Sequence, residues 1–371
     1  MDGSRGGGDN TGPFPFSLLQ RMLQITEIPV EGYEKVCRGI DTASGLHAII
    51  AVHSTALGPA LGGMRLWPYE SLNQALTDVL RLSRGMTYKA ACSGLDLGGG
   101  KSVILGDNSI KSDDLFEAMG DFVDSFGGDY ITAEDVNTKV EDMGVVATRS
   151  KHVVGLAGKS GNPSPVTAMG TFLGLQATLE DVFGDSSLVG KTVAVEGVGA
   201  VGSIYSKLVT EAGGTVVVAD IRGDAARKVA EETGGSMVDP DAIHSVDCDV
   251  FAPCALGGSL NDETIPRLKA KVVCGAANNQ LLEPRHGEQL RERGIKYAPD
   301  YVVNAGGLIN VYNELVPGGY SEERAMDRVE SIRVNMKAIL GMAREGDICT
   351  SVAADRFAET RIQEALALNG S

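Results

Sequence analysis

A chain of 371 residues is too long for one ordinary hydrophobic core, so two domains are expected. Its 49 acidic against 33 basic side chains leave a formal net charge of −16 with no Lys/Arg block, which argues against a nucleic-acid partner and for small ligands. Six scattered cysteines (Cys37, Cys92, Cys248, Cys254, Cys274, Cys349), without CxxC pairs or a histidine cluster, fit reduced thiols in a cytoplasmic protein and no metal centre.

The opening "MDGSRGGGDNTGPFPF" has no signal-peptide core, and its Gly, Pro, Asp and Asn content predicts a flexible lead over residues 1–25. No later run reaches the roughly 18 apolar residues of a membrane span. Residues 35–55 read as two strands around a turn at Asp41 to Gly45. "SLNQALTDVLRLSRGM" reads as a helix opened by a Ser71/Gln74 capping box, with Lys89 just beyond its end. "GLDLGGGKSVIL" places three glycines before Lys101 and the strand "SVIL" after it. Ser112 opens another helix, Gly127 and Gly128 stop it, and the strand "YIT" delivers "AEDVNT" at its end.

The small-residue loop "GLAGKSGNPSP" reads as a hinge, with Ser164 and Pro165 as N-cap and first residue of the next helix. From "KTVAVEGVGAVGSIYSKLVTEAGGTVVVAD" onward, strands alternate with glycine turns and helices, as in a parallel sheet with helical crossovers. The remainder is helical, with amphipathic runs from Ser321 to about Arg344 and from Thr350 onward. These elements predict an α/β protein of two domains, the first over 26–155 and a Rossmann-type second over 156–315, with C-terminal helices over 316–371 that pack back on the first.

Gly197, Gly199 and Gly202 form GxGxxG between a strand and a helix, the context a dinucleotide-binding turn requires. Asp220 ends the next strand, where a carboxylate accepts ribose hydroxyls and repels a 2′-phosphate, so NAD is favoured over NADP; Arg222 softens that exclusion. Taken singly, Lys89 reads as a surface lysine and Asp135 as a turn acid. Lys89, Lys101 and Asp135 taken together can fix a substrate carboxylate and run proton transfers on an amine, provided burial or a second cation depresses a lysine.

The motifs "GPALGGMR", "RGMTYKAA", "DLGGGKSVI", "TAEDVNT", "GVGAVG", "APCALGG", "GAANNQ" and "APDYVVNAGGLINV" resemble, in order and spacing, those of the glutamate, leucine, phenylalanine and valine dehydrogenase family. The resemblance implies reversible oxidative deamination of an L-amino acid by NAD, in a homo-oligomer. It makes Lys89 the group that binds the substrate carboxylate, Lys101 the lysine that activates water, and Asp135 the acidic proton-transfer partner. Gly62 and Gly63 would floor the substrate site, and Asn278 would lie between nicotinamide and substrate carboxylate. Beside the glycine turn and Asp220, the resemblance adds Thr167, Ala200, Val201, Cys254, Ala255 and Asn278 to the cofactor site.

The side-chain pocket it implies is lined by Leu61, Ala133, Leu308 and Val311. Ala133 resembles branched-chain enzymes, whereas Leu308, Asn137 and "INVYNE" resemble aromatic-specific ones. Larger wall residues leave a smaller pocket, which favours leucine, valine or isoleucine; phenylalanine or tryptophan is the alternative, and none of these wall positions offers a cation for glutamate's second carboxylate. Met64 and Glu196 depart from commoner residues without removing a reacting group. The competing class is an NAD-binding sensor without turnover, and the presence of both lysines and Asp135 counts against it.

Overall fold

The computed structural model describes residues 23–369. Its first part runs β1 (Gln24–Glu27), β2 (Lys35–Asp41), β3 (Leu46–Ser54), β4 (Ala60–Trp67), α1 (Leu72–Cys92), β5 (Gly98–Leu105), α2 (Asp113–Asp124), β6 (Tyr130–Glu134) and α3 (Val140–Val146). The strands form one sheet ordered β1-β2-β3-β5-β4-β6. Pairing is antiparallel from β1 to β5 and parallel among β5, β4 and β6. Most of β3 is buried because α1 covers one face of the sheet and α2 the other.

Then follow α4 (Ser164–Phe183), β7 (Thr192–Glu196), α5 (Ala200–Glu211), β8 (Thr215–Ala219), α6 (Gly223–Thr233), β9 (Ser236–Met237), β10 (Val250–Pro253), β11 (Val272–Val273), α7 (Arg285–Glu292), β12 (Lys296–Tyr297), α8 (Asp300–Val303) and α9 (Gly306–Tyr312). Here the strands form a wholly parallel sheet, β12-β11-β10-β7-β8-β9. The valine-rich "TVAVE" and "TVVVA" suit strands covered on both faces. Strand order reverses between β7 and β10, and ligands of open parallel sheets bind at such a switch point.

Three helices close the chain: α10 (Glu322–Val329), α11 (Ser331–Gly346) and α12 (Thr350–Asn369). They return to α1. The Tyr88 hydroxyl donates to Glu359 at 2.8 Å, Asn335 donates to the Cys92 carbonyl at 2.7 Å, and Arg361 donates to the carbonyls of Ala90, Ala91 and Leu95.

Several expectations need correction. Lys89 lies inside α1, which continues through Cys92 because Thr87, Tyr88, Ala90 and Ala91 bury a face that outweighs the helix cost of Gly85. Lys101 lies within β5, whose edges begin at Gly98. The Ser71 hydroxyl caps Gln74, but the Gln74 side chain accepts from Glu70 N–H, so the capping box is half formed. Helix α4 starts at Ser164 itself, with the Asn162 side chain accepting its N–H at 3.0 Å. The amphipathic run from Ser321 divides at Glu330, which keeps Val329 and Ile332 in one buried cluster. Of the flexible lead, residues 1–22 lie outside the described residues, while Gln24 and Ile25 belong to β1.

Candidate active site

Glycines in β4 and β5 let backbones approach where side chains would collide. A Cβ on Gly62 would lie 1.7 Å from the Gly100 carbonyl, and one on Gly99 would lie 2.0 Å from Thr87 N. The end of α1 therefore rests on the strand that carries Lys101, and Lys89 follows Thr87 by two residues. Gly63 admits no side chain either, since its Cβ would lie 2.8 Å from that of Asp135. The 135–138 turn is tied to β4: Asn137 takes φ 59° and its amide donates to the Leu66 carbonyl at 3.0 Å. Its side chain is thus committed to backbone.

Lys101, 5% exposed, lies with Nζ 3.0 Å from Asp135 Oδ2. Arg65 Nε donates to the same oxygen at 3.0 Å. Burial alone would raise the Asp135 pKa, but Lys101 and Arg65 outweigh it and hold the carboxyl at about 2. Lys89 is half-buried, and burial depresses it to about 8, with Lys101 adding repulsion against the attraction of Asp300. Asp300 is itself buried and its pKa is raised by burial, although Gln280 N–H and Lys89 oppose the rise.

Lys89 reaches across the cleft. Its Nζ donates to Asn278 Oδ1 at 3.4 Å, and Asn304 Nδ2 donates to that oxygen at 2.8 Å. Asn304 is 5% exposed and its own Oδ1 is an unpartnered buried acceptor. Leu61, Ala133 and Leu308 are buried in one apolar cluster, with Val311 packed against it. Wall residues from both sheets' elements therefore meet. Arg65 and Asn304 are site residues that sequence reasoning missed, although both sit inside motifs it singled out.

The second sheet's loops fit a nicotinamide dinucleotide. Gly197 has φ +91°, open to glycine alone without strain, and Gly202 packs with its absent Cβ 2.1 Å from the Gly197 carbonyl. Gly199, by contrast, faces open space, and as N-cap of α5 it offers no side-chain cap to the N–H groups at Ala200 and Val201. A phosphate satisfies such groups. Asp220 accepts from Val198 N–H and Arg222 N–H, each at 2.9 Å, so the carboxylate fastens the glycine turn to the end of β8. Burial opposes these hydrogen bonds, yet the pKa of Asp220 is lowered and the group stays ionised. Cys254 and Ala255 follow β10 across the switch point, and Ala255 lies against Gly197. Thr167 stands on the first turn of α4, its hydroxyl bonded to the Pro163 carbonyl at 3.0 Å.

Residues 35–152 match the Glu/Leu/Phe/Val dehydrogenase dimerisation domain, and residues 222–370 match the Glutamate/Leucine/Phenylalanine/Valine dehydrogenase domain. The chain belongs to this family. It is an amino acid dehydrogenase, an oxidoreductase that works with a nicotinamide cofactor. It is 52% identical to leucine dehydrogenase of Geobacillus stearothermophilus over 335 residues, 89% of this chain and 91% of that protein. Valine dehydrogenase of Streptomyces coelicolor is 48% identical over 341 residues, 90% and 93% of the two chains. L-tryptophan dehydrogenase of Nostoc punctiforme is 46% identical over 342 residues, 92% and 96% of the two. The crystal structure of the Nostoc enzyme superposes with a TM-score of 0.82, covering 91% of this chain and 97% of that one.

Proposed function

We propose that this amino acid dehydrogenase oxidises branched-chain L-amino acids, leucine foremost, to 2-oxo acids and ammonium with NAD, reversibly. The observation that carries the reading is the convergence of Lys89, Lys101 and Asp135 opposite Asn278, beside a pocket whose four named walls are apolar. The relatives named leucine and valine dehydrogenase support the substrate class. The relative named L-tryptophan dehydrogenase supports the aromatic alternative.

Lys89 holds the substrate carboxylate as a charged hydrogen-bond donor, and Asn278 fixes the other side of that group. Lys101 takes a proton from the substrate ammonium and passes it on, so that after hydride transfer it can take a second from the water that attacks the imine and return it to the nitrogen, which leaves as ammonium. Lys101 and Arg65 hold the Asp135 carboxyl at about 2, so it enters the cycle ionised, ready to take a proton on from Lys101 as its transfer partner. It orients Lys101 and stabilises its charged form. When bound, the nicotinamide accepts the hydride from the α-carbon. Asp220 would hold the adenosine ribose and favour NAD, and the first turn of α5 would hold the pyrophosphate. Closure of the cleft excludes bulk water.

The dimerisation-domain match supports a homo-oligomer. Six free thiols fit a reducing, cytoplasmic setting. Among the described residues no helix is long and apolar enough to cross a membrane. Steady-state rates of the purified protein with leucine, valine, phenylalanine and tryptophan, each with NAD and with NADP, test the whole reading. Leucine with NAD gives the highest kcat/KM; a higher value with an aromatic substrate overturns the branched-chain assignment.

A further inference from the structure

One oxygen, Asp135 Oδ2, is held by two cations on neighbouring strands, Lys101 of β5 and Arg65 of β4, each at 3.0 Å. Arg65 is held in turn. Its Nη1 donates to Asp78 Oδ2 on α1 at 2.9 Å, and the Tyr69 hydroxyl donates to that oxygen at 2.6 Å. Arg65 and Asp78 have side-chain exposures of 20% and 19%. Both are largely shielded from solvent, and Arg65 bridges the carboxylate to α1.

A lysine paired alone with a buried carboxylate keeps its proton, because neutralising it strands the anion. Such a lysine is a poor base. Here the anion is divided between two partners, and the planar guanidinium that donates to it from Nε is itself oriented by Asp78 at Nη1. We propose that Arg65 is a positioning residue for the reaction: it shares the Asp135 oxygen with Lys101, so that Lys101 can release its proton, and Asp78 with Tyr69 sets how strongly Arg65 does so. The proposal rests on the reading of Lys101 as the base.

The charged and titratable groups around this centre come from every packed element. Lys89 of α1 adds a second cation that acts on Lys101, and Asp300 at the start of α8 offsets Lys89. The Tyr130 hydroxyl of β6 is engaged with the Gly62 carbonyl, Ser102 and Thr132, and burial keeps it protonated. Glu134 faces Glu141 and Val140 N–H instead. Removing Arg65's charge favours the protonated Lys101, and removing Asp78's charge favours the neutral one. The two changes therefore act with opposite sign.

The experiment is the pH dependence of kcat/KM for leucine oxidation with NAD in the wild type, Arg65→Gln, Arg65→Lys, Asp78→Asn and Lys101→Ala. In Arg65→Gln the acid limb moves to higher pH by about one unit, and kcat on the limb falls about tenfold while KM changes by less than about threefold. Arg65→Lys recovers part of the shift, and in Asp78→Asn the limb moves to lower pH. Loss of a merely structural contact gives no opposed pair of shifts. Limbs that stay in place, or that move the same way in Arg65→Gln and Asp78→Asn, overturn the proposal. If Arg65→Gln shows no cooperative melt, Asp78→Asn decides alone: a limb that stays or rises overturns it. Lys101→Ala retaining more than half of wild-type turnover overturns the reading of the base, and with it the role of Arg65; loss of turnover there isolates any failure to Arg65.

Discussion

The first domain sets charged side chains against one another, Lys101 of β5 and Arg65 of β4 on Asp135 just beyond β6, while Lys89 of α1 reaches Asn278. Strand β7 of the second sheet ends in a glycine turn, Gly197 to Gly202, whose backbone is the proposed seat of the cofactor's pyrophosphate. Both use the same architecture of strand, turn and helix. The first must distinguish protonation states and so needs titratable groups with fixed neighbours. The second must recognise a permanent anion, for which oriented N–H groups suffice.

Lys101→Ala breaks the comparison at its most demanding point. Turnover falls about 100-fold to 10,000-fold, the usual cost of losing a general base, while NADH binding measured by fluorescence titration is unchanged. Equal losses in both would mean that the two sheets' sites are not separable.

Lys89→Met separates binding from stability within the charged site. KM for the amino acid rises about 10- to 100-fold on loss of a charged hydrogen bond to its carboxylate. Folding becomes more stable at pH 7, however. Lys89 is depressed from 10.5 to about 8, so its charged form costs the folded state free energy at every pH below about 8, and the cost fades between about 8 and 10.5. The gain is about 2 to 3 kcal/mol at pH 7 and disappears near 10.5, as read from thermal melts at both pH values. A Tm that falls at pH 7 contradicts it.

Gly199→Ala and Gly202→Ala sharpen the backbone side. Gly202→Ala forces a methyl onto the Gly197 carbonyl and lowers both stability, by about 1 to 3 kcal/mol, and cofactor affinity. Gly199→Ala meets nothing within 4 Å, so Tm stays constant while cofactor affinity falls about tenfold, the new methyl occupying the phosphate's approach. Unchanged affinity in Gly199→Ala would remove the pyrophosphate from that turn.

The smallest effect concerns the pocket. Ala133→Gly with Leu308→Val removes methylene groups from its walls and shifts the ratio of kcat/KM from leucine toward phenylalanine or tryptophan by about 1 to 3 kcal/mol. A ratio that does not move would show that these two positions face elsewhere.

Both sheets were largely legible in the sequence, because valine-rich strands, capping serines and the glycine turn are local signals. What escaped it depends on contacts between distant residues. Gly98 to Gly100 read as an approach to a strand, yet they lie inside β5, since α1 presses on them through Thr87. Lys89 read as lying beyond its helix because Gly85 weakens the periodic pattern, while burial of Tyr88, Ala90 and Ala91 carries α1 onward. Edge strand β1 is exposed throughout and shows no apolar alternation. Arg65 was visible only as the last letter of "GPALGGMR". Nothing local marks a guanidinium that bridges Asp78 and Asp135, one of them 70 residues away. Asn137, grouped by resemblance with aromatic-specific members, instead serves the turn that presents Asp135.

The Arg361 guanidinium satisfies carbonyls at the end of α1, the helix that carries Lys89, across 271 residues from Ala90. On a ribosome adding about 5–20 residues per second, those carbonyls wait on the order of tens of seconds for their partner. The first sheet can assemble from its own strands during that interval, but the carbonyls that close α1 gain their guanidinium partner only once α12 has been synthesised. Vectorial synthesis thus completes the capping of α1 last, and truncation before Arg361 leaves the carbonyls of Ala90, Ala91 and Leu95 without that guanidinium.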